Sequence, residues 1–148
     1  MKRELSIPTI AALLYGAFAA LAAATMYGVL SRFAGEAGID TLILVAAPAL
    51  MAMLIALVVY RRAGDRIRSI SQSLSRGLLV AVLTWAGFSA LSAWFWCIPS
   101  LYAECLRQTL LVSGALVGGQ FLIGCLAAAA LTGSAIRTRE ARGRGKRG

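Results

Sequence analysis

Four long stretches of the chain carry no charged residue: Ile7 to Leu30, Thr41 to Tyr60, Gly77 to Trp96, and Gln108 to Gly133. Apolar residues fill each stretch, without the polar stripe of a helix that faces water. A hydrocarbon layer roughly 30 Å thick takes about 20 residues at about 1.5 Å rise each. Inside lipid a backbone must satisfy its own hydrogen bonds, so each stretch is expected to be a helix. The pattern predicts an all-α membrane protein. Its domain, residues 1–133, is four transmembrane helices in an antiparallel bundle, with spans at 7–30, 41–60, 77–96 and 108–133. A basic connection, 61–76, joins the second and third spans. A basic tail, 134–148, is expected to be disordered or only partly helical near Arg137–Arg142.

Local signals support the boundaries. Ser6 can cap the first helix, and Pro8 is tolerated in its first turn. Asp40 can cap the second. In the connection, Ile67, Ile70 and Leu74 fall on one helical face among Arg, Ser and Gln. That spacing fits a short interfacial helix with its apolar stripe in lipid, or a plain solvated loop. Ser100 can cap a helix running through Tyr102, Glu104 and Arg107 into the fourth span, with Glu104 and Arg107 as a weak i,i+3 pair.

Composition agrees with a membrane chain. The hydrophobic fraction is 59% and the charged fraction 14%, against about half and about a quarter for soluble domains. A net charge of +9 raises the question of nucleic acid, but the placement of the charges answers it. Thirteen of the fifteen basic residues lie at the N-terminus, in the second connection or in the tail. They are Lys2, Arg3, Arg61, Arg62, Arg66, Arg68, Arg76, Arg137, Arg139, Arg142, Arg144, Lys146 and Arg147. Arg32 and Arg107 are alone in the first and third connections. Cytoplasmic loops are the ones enriched in Lys and Arg. Both termini are therefore expected in the cytoplasm of a cell with the chain in its inner membrane. Arg61, Arg62, Arg66, Arg68, Arg76, Arg137, Arg139 and Arg142 are expected at anionic lipid headgroups. The "RGRG" of the tail is similar to RNA-binding tails, but a membrane-proximal polybasic segment accounts for it, and no nucleic-acid partner is expected.

The first span also has features of a cleavable signal peptide: a basic start, an apolar run, and an Ala-x-Ala at Ala22 and Ala24. The run continues to Leu30, longer than a usual signal core, which favours an uncleaved helix.

The spans hold few chemical groups. There is no histidine in the chain and no ionisable acid or base within a span, which argues against proton-coupled transport, His-based catalysis and His metal sites. No catalytic, cofactor-binding or metal-binding residue is expected. Small residues recur instead. Ala12, Gly16, Ala20, Ala24 and Gly28 repeat every four residues, and Gly114 and Gly118 form a GxxxG; both patterns permit close helix packing. Gln120 is an intramembrane amide, read as packing glue or as a pore-lining point. Pro48 is expected to kink the second span, with Thr84, Ser89 and Ser92 able to supply the hydrogen bonds a kink frees. "FAALAA" (18–23) is similar to "FSALSA" (88–93), and 41–55 loosely to 109–123, as in a duplicated helical hairpin.

The distinctive outer segment is "WFWCIPSLYAEC" (94–105). Trp94 and Trp96 sit where an interfacial aromatic belt belongs. Cys97 and Cys105 can form a disulfide closing the turn fixed by Pro99, or remain thiols; Cys125 reads as a small buried apolar residue. The segment invites comparison with bacterial four-helix disulfide-generating membrane oxidoreductases, which also carry cysteines in outer loops. Those enzymes use two communicating pairs, one of them CxxC. Here there is one pair, spaced C-x7-C, with no basic flank at Cys97 to lower its pKa. The expected role is non-enzymatic: a small membrane subunit or helper that packs against itself, as a homo-oligomer, or against a larger membrane protein. The alternatives are a pore or transport component, such as a holin-like oligomer or exporter subunit, and a thiol-disulfide redox protein.

Overall fold

The computed structural model describes residues 6–34, 41–63, 70–98 and 101–144. They form four long helices: α1 (Ile7–Ala34), α2 (Thr41–Ala63), α3 (Ile70–Trp96) and α4 (Tyr102–Arg144). All four contain stretches long and apolar enough to cross a membrane: Ile7–Gly28, Val45–Arg62, Ser71–Phe95 and Gly118–Thr138.

The contacts fix the arrangement. Tyr15 meets Tyr60, while Gly16 meets Met53. Ser73 meets Ala129, Gly114 meets Trp85, and Tyr102 reaches Ala90. Phe18 packs on Gly124, while Thr25 reaches Gln120. Gly87 faces Met51, and Tyr60 faces Ser73. Within each pair of helices one number rises as the other falls, so all four neighbouring pairs run antiparallel. α1 with α2 and α3 with α4 pack most extensively; α1 with α4 follows, and α2 with α3 touch least. The start of α1 and the end of α4 therefore leave by the same end of the bundle. Arg61, Arg62, Arg76 and Arg137 mark that end, with Arg32 and Arg107 at the other.

The bundle is filled by small residues. Ala11, Ala19, Ala52, Ala56, Ala81, Ala128 and Ala129 are buried, with Tyr15, Tyr60, Val80 and Cys125 among them. Larger apolar side chains point outward, including Leu50, Leu54, Leu79, Val82, Leu111 and Ile123. In water this would be an inverted distribution. In lipid it costs nothing, because the tails are as apolar as leucine and close packing of small residues holds the helices together.

Two local expectations change, and the hydroxyls expected to serve the Pro48 gap lie elsewhere. Residues 70–76 are the first turns of α3, not a separate interfacial helix, and Leu74 packs toward the buried cluster. Continuing a helix costs far less than nucleating another, and Ser73 finds a buried acceptor there. Between 134 and 144 the chain stays helical as the end of the 43-residue α4, where disorder, or a helix only in part near Arg137–Arg142, was expected. Propagation from a long helix is cheap, and Ala, Arg and Glu are strong helix formers. At about 1.5 Å per residue α4 is about 65 Å long, twice a hydrocarbon core. Pro48 lies inside an α2 that is continuous around it. It withholds the N–H that the Leu44 carbonyl would accept. Thr84 and Ser89 do not fill that gap: Thr84 Oγ1 has no hydrogen-bond partner, and Ser89 pairs with Ser113.

Other expectations hold. Ser6 caps α1, its Oγ accepting from the Thr9 N–H at 3.4 Å. α4 begins at Tyr102, and Glu104 pairs with Arg107 at 3.6 Å on the exposed surface. Lys2, Arg3, Asp40, Arg66, Ile67, Arg68, Pro99, Ser100, Lys146 and Arg147 lie outside the described residues, as do the side chains of Trp96, Arg139, Arg142 and Arg144.

Candidate functional site

Two features lie inside the bundle. The first is a chain of hydroxyls at the basic end. Tyr15 Oη and Tyr60 Oη are 3.2 Å apart, Tyr60 Oη and Ser73 Oγ 3.4 Å, and Ser73 Oγ and the Ala129 carbonyl oxygen 2.7 Å. The carbonyl can only accept, and each hydroxyl has one proton. The direction is therefore fixed: Tyr15 donates to Tyr60, Tyr60 to Ser73, and Ser73 to Ala129. One residue comes from each helix, so this single chain ties together all four. The tyrosine rings pack with centroids 5.9 Å apart. Gly77 makes the junction possible. A Cβ there would fall 2.5 Å from Ala129 Cβ and 2.8 Å from Tyr15 Oη.

The second feature is a cavity of about 210 Å³ farther toward the cysteine end. Ala19, Ala23 and Met26 of α1, Pro48 of α2, Thr84, Trp85 and Phe88 of α3, and Gly118 and Phe121 of α4 line it. Its wall at Trp85 is locked. The Trp85 Nε1–H donates to Ser113 Oγ at 2.9 Å, and Ser113 itself donates to the Leu110 carbonyl. Ser89, 3.2 Å from Ser113 Oγ, then acts as the second donor to it. Thr84 differs. It is 1% exposed, and its hydroxyl has no partner. A buried orphan hydroxyl costs about 1–3 kcal/mol. A helical threonine can avoid that by donating to the carbonyl four residues back. Thr132, equally buried, does so to Ala128 at 2.8 Å, and Thr109 does so to Cys105. Thr84 does not; the residue borders the cavity, but its hydroxyl oxygen is enclosed by protein.

The sequence-derived packing positions divide. Ala12 and Gly16 are buried, with Gly16 against Met53, and Gly114 lies against the Trp85 ring. Ala20 is half-buried and Ala24 exposed, and a Cβ at Gly28 or Gly118 would meet nothing within 4 Å. The stripe thus packs in its first half only. Thr25 Oγ1 donates to the Ala22 carbonyl at 2.8 Å and lies 3.2 Å from Gln120 Oε1, a secondary polar contact between α1 and α4. Gly77 and Gly124 also make close approaches and were not singled out in the sequence; Gly124 sits against Phe18. Each lies in a shorter small-residue stripe, Ser73–Gly77–Ala81 and Gly124–Ala128–Thr132, a pattern that does not by itself say which helix is approached.

At the other end Cys97 and Cys105 are at disulfide distance, with Cα atoms 6.3 Å apart, inside the range a disulfide bridges. Trp94 packs edge-on against Tyr102 and is 73% exposed. Cys125 is buried within the bundle. Among the described residues no cluster of His, Cys, Asp and Glu has metal-binding geometry. Comparison of the chain with protein-family models, with curated proteins and with solved structures finds no match in any of the three.

Proposed function

We propose that the chain is a small integral membrane protein of a cell's inner membrane, with both termini cytoplasmic. Its role is non-enzymatic: it acts as a subunit or helper that packs against a second copy or a larger membrane protein. The observation that carries this reading is the distribution of side chains. Among the described residues the helices spend their small residues and most hydroxyls on one another and turn a largely apolar exterior to the surroundings. The basic residues collected at the end shared by the start of α1 and the end of α4 favour that end as the cytoplasmic one. They also suit anionic headgroups. Tyr15 is the donor end of the four-helix hydroxyl chain, which favours a retained α1 over a cleaved signal.

The pore reading is weaker. Gln120, its one candidate lining amide, touches Thr25 on the outside of the bundle, and the hydroxyl chain occupies the bundle axis at the basic end. The redox reading keeps only its one cysteine pair.

Gentle solubilisation, in-membrane crosslinking and identification of the crosslinked species test the proposal. A discrete homo-oligomer or one larger membrane partner is expected, with membrane potential unchanged on induced expression. Collapse of the potential on expression would replace this reading with the pore.

A further inference from the structure

We infer, resting on the helper reading, that the outer face of α4 around Gln120 is the surface by which the chain pairs with a second copy of itself. Gln120 lies 13 residues after Arg107 and 17 before Arg137 on one continuous helix. At about 1.5 Å per residue it is about 20 Å from one charge and about 25 Å from the other, near the middle of a hydrocarbon layer roughly 30 Å thick. Its side chain is exposed on the outside of the bundle. At that depth the outside is hydrocarbon, as dry as a protein interior. An amide carries two N–H donors and an oxygen with two lone pairs. Among the described residues it touches only Thr25, 3.2 Å from Oε1, and Thr25 already donates to the Ala22 carbonyl. The two N–H groups of Gln120 thus have no acceptor, which is costly away from water.

A second copy supplies the missing partner at the right depth. Two copies in one membrane share one orientation, so a twofold axis along the membrane normal sets α4 parallel to its mate and Gln120 opposite Gln120. Each amide then donates to the other's oxygen, which has a lone pair to spare. The chain has no Asn, and its other two Gln, Gln72 and Gln108, lie near the starts of α3 and α4. Gln120 is therefore the one amide at mid-depth, and self-pairing needs no other. A single amide on an apolar seam is also the device that fixes register and helix number in coiled coils, and twofold pairs are the commonest assemblies. The surrounding face suits the contact. Ile123 and Ala127 follow Gln120 at i+3 and i+7, on one side of the helix, and Ile123 is 69% exposed. Gly119 is exposed beside Gln120, and a Cβ there would meet nothing within 4 Å, so the mate can approach the α4 backbone closely. No charge interrupts the chain between Arg107 and Arg137.

The test uses the full chain in phosphatidylcholine vesicles, with donor or acceptor dye at the C-terminus, and follows energy transfer as added lipid dilutes the protein. The parent should associate reversibly, with transfer rising linearly with the acceptor fraction, as for a pair. Gln120→Met keeps the length and removes the amide. It should weaken association about tenfold, the size of one or two interhelical hydrogen bonds. Gly119→Leu blocks the approach without touching its own bundle and should weaken association at least as much. Leu54→Ala, on the outer face of α2, should change it less than twofold. A parent that stays monomeric at every dilution overturns the inference; if that same parent is crosslinked in cells to one larger membrane protein, the helper reading stands without it. Association that survives Gln120→Met, or that Leu54→Ala weakens equally, overturns the assigned face and leaves the helper reading intact. Transfer that curves with acceptor fraction marks a ring of more than two copies and overturns the pairing.

Discussion

Replacing Gly77 with alanine tests the packing account at a close approach where the facing atom is a rigid Cβ. The new methyl carbon would fall 2.5 Å from Ala129 Cβ, 2.8 Å from Tyr15 Oη and 3.3 Å from the Cys125 carbonyl oxygen. Carbon atoms rest about 3.5–4.0 Å apart, so α3 and α4 must part by about 1 Å. Ala129 Cβ sits on helix backbone and cannot swing aside. The Ser73-to-Ala129 bond, now 2.7 Å, would then stretch beyond hydrogen-bonding range. Overpacking costs about 1–3 kcal/mol, and the lost bond about 1 kcal/mol more. Against this, alanine gains about 1 kcal/mol over glycine in helix propensity. The net is destabilisation by about 1–3 kcal/mol. Gly28→Ala is the matched control. A Cβ there meets nothing within 4 Å, so only the propensity gain remains and stability should hold or rise slightly. The assay is reversible unfolding in mixed micelles of mild detergent and dodecyl sulfate, followed by circular dichroism. Equal effects at 77 and 28, or a stabilising Gly77→Ala, would refute the reasoning.

Two further outcomes follow from the same structure. Tyr15 only donates in the hydroxyl chain, so Tyr15→Phe should cost about 0.5–1.5 kcal/mol, whereas Ser73→Ala strands the buried Tyr60 donor and should cost about 1–3 kcal/mol; the order of the two, read in the same unfolding assay, is the check. If the pair Cys97–Cys105, eight residues apart in sequence, is oxidised, the chain-entropy estimate for its loop is about 2.5 kcal/mol; the Cys97→Ser/Cys105→Ser variant should be less stable by up to that amount, and addition of reductant should lower the stability of the parent but not of the variant.

The architecture was legible because lipid imposes a coarse rule. Charge-free runs of about 20 residues have one solution, and their ends at Ser6 and Tyr102 carried local signals. The helix ends were less legible. The run 70–76 has the polar residues of a loop, and only the acceptor on Ala129, 56 residues away, explains why Ser73 is drawn into the bundle. The candidate site was legible only in pieces. Gly16 and Gly114 were visible as members of small-residue patterns. Gly77 lies in a shorter stripe, Ser73–Gly77–Ala81, whose neighbours on α1 and α4 show only once the helices are docked. Gly28 and Ala24 continued the pattern of α1 but face open space, because a four-residue repeat records one helix's geometry and not the reach of its neighbours. Thr84 was noted as a donor for the carbonyl freed by Pro48. Its actual position on a cavity wall depends on four helices at once.

The central claim is a four-span bundle with its basic end in the cytoplasm, and the native cysteines test it most directly. Intact cells are treated with a mild reductant and then with a membrane-impermeant maleimide, and labelled sites are mapped on the purified protein. The account predicts labelling of Cys97 and Cys105 in intact cells and none at the buried Cys125. Labelling of Cys97 and Cys105 only after the membrane is broken would place that end inside and contradict the account.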